Sequence, residues 1–213
     1  TLKEWPELIL ERIEDAGVAR IVLNRPDKRN CWNRALCLAF LEALEIIRAD
    51  KELKVVITKG AGTVYSSGLD LNFLREVSNG PLLDWDRPSL TIQIAEAVRA
   101  FPRIVIAQVH GYCLAGGCEL AMSCDITLAA EDAVFGEPEL RFGSVITAMM
   151  MPWLIGPKRT KELLLTGEDR IPADRAEKIG LVNRVVPSGR HLDEALVVAS
   201  KIARMDPDAV AMT

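Results

Sequence analysis

Two short runs near the amino end, residues 8–14 and 18–23, carry apolar residues at strand spacing, and the Asp15-Ala16-Gly17 step between them predicts a β-hairpin. The stretch Asn24-Arg25-Pro26-Asp27-Lys28-Arg29-Asn30 then breaks regular structure, because Pro26 has no amide hydrogen to give to a central strand. Past it the period becomes helical: Leu36, Phe40, Leu44 and Ile47 share one face of a segment spanning 31–49. A β-branched strand follows at 54–58, then a helical stretch at 72–77, an exposed loop at 81–88 and an amphipathic helix at 90–101 that Pro102 stops. The apolar run 104–109 predicts a buried strand leading into a short helix, and 126–130 and 133–136 read as two more strands. Segments 148–154, 159–166, 173–179 and 192–205 are helical in period, separated by Gly156-Pro157, Gly167 and Gly180. Strands alternating with helices predict an α/β sheet with crossover connections and a helical end. Residues 206–213 read as a fresh helix start, so the helical region is read as continuing past Thr213.

The join between strand 104–109 and its helix is a glycine pair, Gly116-Gly117. Glycines there permit close approach, either by a packed neighbour or by a ligand that takes hydrogen bonds from free N–H groups at a helix start. Glu119 lies three residues beyond Gly116, roughly 4.5 Å of rise, so donor and carboxylate can face one pocket. The alternative for Glu119 is a solvated first-turn carboxylate favoured by the helix dipole. Strand 54–58 leads into a similar turn, Ser66-Ser67-Gly68-Leu69-Asp70. If the two strands are neighbours, both turns lie at the carboxyl edge of the sheet, and the N–H groups of Leu69 and Gly116 can converge on one oxygen. Asp70 reads as a cap for the next helix or as part of the chemistry. Glu139, flanked by Phe135, Leu140 and Phe142, is either a surface-loop acid or a proton-transfer group with a raised pKa.

Composition narrows the classes. With 213 residues, 49% hydrophobic and 26% charged, the chain has the make-up of one large or two small globular domains. A net charge of −4 and a pI near 5.4 give no basic footprint for nucleic acid or an anionic membrane. A phosphate-bearing ligand would have to be held by local Lys, Arg and backbone donors. No apolar run approaches the ~20 residues of a membrane span, and no secretory or transit pattern opens the sequence. Five cysteines without a C-x-x-C pair read as reduced thiols of a cytosol-like compartment, and His110 and His191 are not spaced to complete a metal site, so no metal is expected.

Taken in order, Leu23–Asn30, Tyr65–Leu71, Ile106–Gly111 through Ile126, Phe135–Glu139, Leu163–Gly167 and Ala176–Asn183 resemble the enoyl-CoA hydratase/isomerase (crotonase) superfamily over nearly the whole chain. The resemblance implies a ββα-superhelix spiral core over residues 1–190, followed at 191–213 by the start of a C-terminal helical trimerisation region. It implies a homotrimer or dimer of trimers acting on an acyl-CoA thioester, with no cofactor beyond the coenzyme A of the substrate. By position the thioester carbonyl would rest on the N–H groups of Leu69 and Gly116, while Glu119 and Glu139 match the two hydratase glutamates. Ser67, Asp70 and Leu71 match the strip along adenine and pantetheine, with Lys28 and Arg29 as phosphate contacts. A cytoplasmic location follows, or the mitochondrial matrix if a transit peptide has been removed.

One departure stands out. Where the hydratases run through a glycine-rich turn, this chain has Val145-Ile146-Thr147-Ala148-Met149-Met150-Met151-Pro152-Trp153, which either reshapes the wall beside the acyl group or is plain core. Double-bond isomerisation or carbon–carbon bond hydrolysis with one shuttling carboxylate is the nearest rival activity, and two retained glutamates favour hydration. A non-catalytic acyl-CoA-binding member, with RNA binding as a second activity, is a rival of another class that the acidic balance disfavours. A dinucleotide enzyme is poorer still, since Gly111-Tyr112-Cys113-Leu114-Ala115-Gly116 is not G-x-G-x-x-G.

Overall fold

The computed structural model describes residues 1–13, 17–73, 89–143 and 150–212. Strands β1 (Lys3–Trp5), β2 (Leu8–Ile13) and β3 (Val18–Leu23) form an antiparallel meander. Strand β3 then pairs in parallel with β4 (Val55–Gly60), β4 with β5 (Ile104–Val109), β5 with β7 (Ile126–Ala130) and β7 with β10 (Arg184–Val186). A second sheet holds β6 (Tyr112–Leu114), β8 (Val134–Gly136) and β9 (Ile171–Pro172).

The parallel strands read as nearly continuous apolar runs because both of their faces are covered. Alternation within them still decides which side each residue serves. Val56, Val105, Ala107 and Val109 point into the large core against helices α1 (Arg34–Ala49), α2 (Leu90–Arg99) and α3 (Gly116–Ser123). Val55, Ile57, Ile106 and Leu128 point the other way, onto Ala195 and Ala199 of helix α7 (His191–Ile202). Between them lie α4 (Met151–Ile155), α5 (Pro157–Thr166) and α6 (Ala173–Ile179), and α8 (Pro207–Ala211) ends the described chain. No helix among the described residues is long and apolar enough to cross a membrane.

Three strands of the large sheet leave it in the same manner. After β5 the chain turns at Gly111, which has a φ of +54°, and runs into β6 in the second sheet before starting α3. After β7 it turns into β8. After β4 it reaches Ser66, which makes a parallel bridge to Cys113 of β6, and a helical turn begins at Leu71. A strand of the large sheet, a short strand or bridge of the second sheet and a helix recur along the chain, which is the spiral that the resemblance implied.

The elements read from sequence are present, with shifted ends. Helix α1 starts at Arg34 rather than residue 31 because the Asn33 side chain accepts from Leu36 N at 2.8 Å and caps it, and Trp32 is drawn off to bridge Leu69. Residues 139–142, read as loop, form a 3-10 turn, and the short β1, β6, β9 and β10 lacked a period long enough to see. Residues 15–16 of the hairpin turn read at 15–17, residues 74–77 of the helical stretch read at 72–77, the loop at 81–88 and residues 145–149 of the departing stretch lie outside the described residues.

Phe40 is fully buried in the large core, whereas Leu38 on the opposite face of α1 is exposed. Phe40→Ala is expected to cost about 3–5 kcal/mol in urea unfolding, and Leu38→Ala about 0.5 kcal/mol or less.

Candidate functional site

The parallel pairing of β4 with β5 carries the turns that follow them to one edge of the sheet. The first turn is fastened by Ser66, whose hydroxyl accepts from Trp32 Nε1 at 3.0 Å and from Gly68 N at 3.2 Å and donates to the Asn30 carbonyl at 2.9 Å. Asn30 holds the left-handed region at φ +53° and is itself pinned, its amide donating to the Ala61 and Val64 carbonyls at 2.8 Å each. Trp32 N donates to Gly68 O and Asp70 N donates to Trp32 O. That bridge uses the peptides on either side of Leu69, which turns the Leu69 N–H away from Trp32.

The second turn is fastened to the first. Ser66 N donates to Tyr112 O at 3.0 Å and Leu114 N to Ser66 O at 2.9 Å, while Ala115 N reaches Gly136 O at 2.8 Å. Ala115 has φ +53° and ψ −131°, a conformation that a residue with a Cβ adopts only when its surroundings force it. The forcing is mutual close contact. A Cβ on Gly68 would sit 2.5 Å from Ala115 Cβ and 3.0 Å from Gly116 N, and one on Gly117 would sit 2.7 Å from Ser66 Cβ. Gly117 is therefore a packing glycine, and Gly116 is the first residue of α3 with its N–H outside the helix ladder.

A Cβ on Gly116 would lie 3.9 Å from Leu69 N, and that position is about 2.5 Å from Gly116 N, so the two nitrogens are at most about 6.4 Å apart. One acceptor bridging two amides needs about 5 to 6 Å. Neither N–H has a hydrogen-bond acceptor among the described residues. Gly116 and Glu119 line one narrow cleft together with Trp32, Thr91, Ile94 and Leu120.

Glu119 is only 6% exposed, which removes its reading as a solvated helix-start acid. It meets Glu139, and also a residue that the sequence reading passed over. Glu137, 1% exposed, stands with Glu119 and Glu139 so that one carboxyl oxygen of each lies within 4.8 Å of the other two. Both Glu137 oxygens and Glu139 Oε2 are buried without a partner in hydrogen-bond geometry among the described residues. Burial pushes the Glu139 carboxyl up to about 7, with the Glu119 charge adding to the shift and the adjacent Glu137 carboxyl opposing it. Glu139 is thus no ordinary surface-loop acid. Burial also lifts Glu137 well above the usual carboxyl range, and its neighbours Cys118, Glu139 and Glu119 act in the same direction. Three carboxyls at this spacing relieve repulsion by sharing protons or by sharing a cation, and the two raised groups accord with shared protons.

The signal for Glu137 was present in the sequence. Phe135 faces the core from β8, and two residues further along an extended chain the side chain returns to the same face. Glu137 N, held by Glu168 O at 2.9 Å, keeps the chain extended past the strand end.

Of the other candidates, Ser67 is half-buried, with its N–H on the Arg29 carbonyl at 3.0 Å, and Leu71 is exposed. Lys28 and Arg29 are exposed on and just after the 3-10 turn Pro26–Lys28. Asp70 does cap, accepting from Asn72 N at 3.0 Å, a bond that holds its carboxyl below the ordinary range, and it pairs with Arg25 at 3.4 Å. Asp70 also lines an open groove of about 520 Å³ together with Arg25, Asn33, Arg34, Asn72 and Phe73. Arg25 and Arg34 were not singled out from the sequence, where no helix-face argument ties them to the turn at 66–70.

Comparison with known proteins places this geometry. The family model described as enoyl-CoA hydratase/isomerase matches residues 13–213. The chain is 37% identical over 207 residues to the 2,3-dehydroadipyl-CoA hydratase of Escherichia coli K12, covering 96% of this chain and 78% of that one. It is 35% identical over 204 residues to the crotonyl-CoA hydratase of Syntrophomonas wolfei, covering 93% and 76%. Its fold matches the crystal structure of an enoyl-CoA hydratase/isomerase from Xanthobacter autotrophicus Py2 with a TM-score of 0.92 and 43% identity, covering 98% and 77%.

The interlock of the two turns is testable without a substrate. Gly68 has φ +87° and no room for a Cβ, so Gly68→Ala is expected to cost about 2–4 kcal/mol in urea unfolding, the sum of left-handed strain and overlap. At Gly143, where φ is +68° but no atom of the described residues lies within 4 Å, the alanine variant is expected to cost only about 1–2 kcal/mol.

Proposed function

This chain belongs to the enoyl-CoA hydratase/isomerase family, and from that premise we propose that it adds water across the α,β double bond of an enoyl-CoA thioester. The observation that carries the reading is the carboxyl pair of Glu119 and Glu139, with oxygens within 4.8 Å, where Glu119 lines one cleft with Gly116, whose N–H, like that of the nearby Leu69, has no acceptor among the described residues. A water held at about 2.7–2.8 Å from each of two carboxyl oxygens bridges them at separations up to about 5.5 Å.

On this reading the thioester carbonyl accepts from Leu69 N–H and Gly116 N–H. Each donor strengthens as negative charge builds on that oxygen, by about 3 kcal/mol in comparable sites. Glu119, ionised, takes a proton from the bridging water as the water oxygen bonds to the β-carbon. The electron pair of the double bond moves onto the thioester as an enolate held by the two amides. Glu139, carrying its proton, gives it to the α-carbon as the enolate collapses. The product has gained one water, and transfer of the proton from Glu119 back to Glu139 through the next water restores the pair. A carboxyl that titrates near 7 suits the donor role, since it still holds a proton at neutral pH.

The coenzyme A part would run over Ser67, Asp70 and Leu71, with Lys28 and Arg29 near the phosphates and Arg25 and Arg34 in the adjoining groove. The assembly proposed is a homotrimer or a dimer of trimers. In support, α4 and α5 expose Trp153, Leu154 and Leu165, the kind of apolar surface that a neighbouring subunit covers.

Glu119→Gln and Glu139→Gln are each expected to lower kcat by about 10² to 10⁴ while acyl-CoA binding persists; near-normal turnover in either variant refutes the assignment. The hydration rate kcat/KM is expected to fall as pH rises through about 7, because Glu139 then loses the proton it must donate. Product formed in ¹⁸O-water is expected to carry the label on the β-carbon, which double-bond migration would not produce.

A further inference from the structure

Glu137 has no part in the hydration just described, yet few side chains in the molecule are placed at greater electrostatic cost. It is 1% exposed, neither oxygen has a hydrogen-bond partner among the described residues, and the described groups that face it are the Cys118 thiol and Glu119 from α3 and Glu139 from the next turn, none of them basic. An ionised carboxylate in that setting would be stripped of water and set among acids. A protonated one has an O–H to give, and the Glu139 carboxyl within 4.8 Å is an acceptor. The backbone fixes the approach, because Glu137 N is held by Glu168 O, and a Cβ on the preceding Gly136 would meet Asp169 Cα at 2.3 Å. Residue 137 cannot withdraw its side chain without moving that contact.

We propose that Glu137 is a positioning residue that keeps its own proton throughout the reaction and donates it as a hydrogen bond to Glu139. The bond forms as Glu139 becomes a carboxylate on giving its proton to the α-carbon, so it stabilises the charge that step creates. A rotation about the terminal bonds of either side chain is enough to close the gap, and no proton leaves Glu137 at any stage. The raised affinity of Glu137 for its proton and its opposing influence on Glu139 accord with this arrangement. The proposal rests on the hydratase reading for the role it gives Glu139, but the proton on Glu137 can be observed without turnover.

The test compares Glu137→Gln, which keeps an N–H donor of the same reach, with Glu137→Leu, which keeps only volume. Glu137→Gln is expected to hold kcat within about threefold and to leave the pH limb near 7 in place. Glu137→Leu is expected to lower kcat about ten- to a hundredfold with KM little changed, and to move that limb to higher pH, because ionised Glu139 has lost its donor. A limb that moves to lower pH would mean that Glu137 was itself charged, and would overturn the proposal. So would three identical profiles, or a glutamine variant that behaves like the leucine one. Infrared difference spectroscopy at about pH 8 is expected to show the C=O stretch of a buried protonated carboxyl in the wild type and in Glu139→Gln, absent in Glu137→Gln. A wild type without that band overturns the proposal even if Glu137→Leu fails to fold. Full activity of Glu119→Gln and Glu139→Gln would instead sink the hydratase reading and leave the band where it is.

Discussion

The structure depends on two backbone turns touching with no side chain between them. Gly68 lies against Ala115 and Gly116, Gly117 lies against Ser66, and backbone hydrogen bonds from Ser66 and Leu114 close the contact. Only hydrogen fits at the Cα atoms of Gly68 and Gly117. The consequence reaches beyond packing, because the first residue past each close contact, Leu69 in one turn and Gly116 in the other, has an N–H that the local hydrogen bonding leaves unused. The large sheet makes the meeting possible by running β4 and β5 side by side in one direction, and the small second sheet fixes its register through the bridge between Ser66 and Cys113. The left-handed backbone at Ala115 is the strain that this closeness imposes, and it is held by a hydrogen bond to Gly136 at the end of β8.

The same strand end supplies the acids. Gly136 is followed by Glu137 and, two residues on, by Glu139, and the helix that starts at Gly116 presents Glu119 one turn later. A fold with its strand ends gathered at one edge therefore brings together donors for an oxygen and carboxyls for a proton. Burial makes the carboxyls unequal. Glu139, raised to about 7, lies where a proton can be both held and given, whereas Glu137 is buried more deeply and its carboxyl, facing acids and a thiol among the described residues, is held well above the usual range. Under the proposed chemistry that inequality is useful, since one group must part with its proton and the other must not.

Much of this was legible in the sequence because it depends on order along the chain. Two apolar strands each followed by a small-residue turn imply two turns at one edge, and that inference located Leu69, Gly116 and Glu119. Glu139 was marked by its apolar neighbours. The rest depends on contacts between segments distant in sequence. Trp32 and Asn30 matter because they clamp Ser66 more than thirty residues away, and the three-residue strand β6 is too short to show a period. Arg25 and Arg34 reach the groove only through the turn that follows β3 and the start of α1. Glu137 was missed for a different reason. It was read as part of a loop, where alternation of faces has no meaning, although the chain stays extended past the end of β8.

The central claim, that two amides from separate turns share one thioester oxygen, predicts polarisation of that carbonyl before any chemistry occurs. Isotope-edited infrared spectroscopy of a saturated, unreactive acyl-CoA carrying ¹³C at the thioester carbon reads this directly. The account predicts that the bound C=O stretch lies at lower frequency than in water, as two converging donors require. A stretch at or above the solution frequency would mean that the oxygen meets no such pair, and would contradict the account at its root.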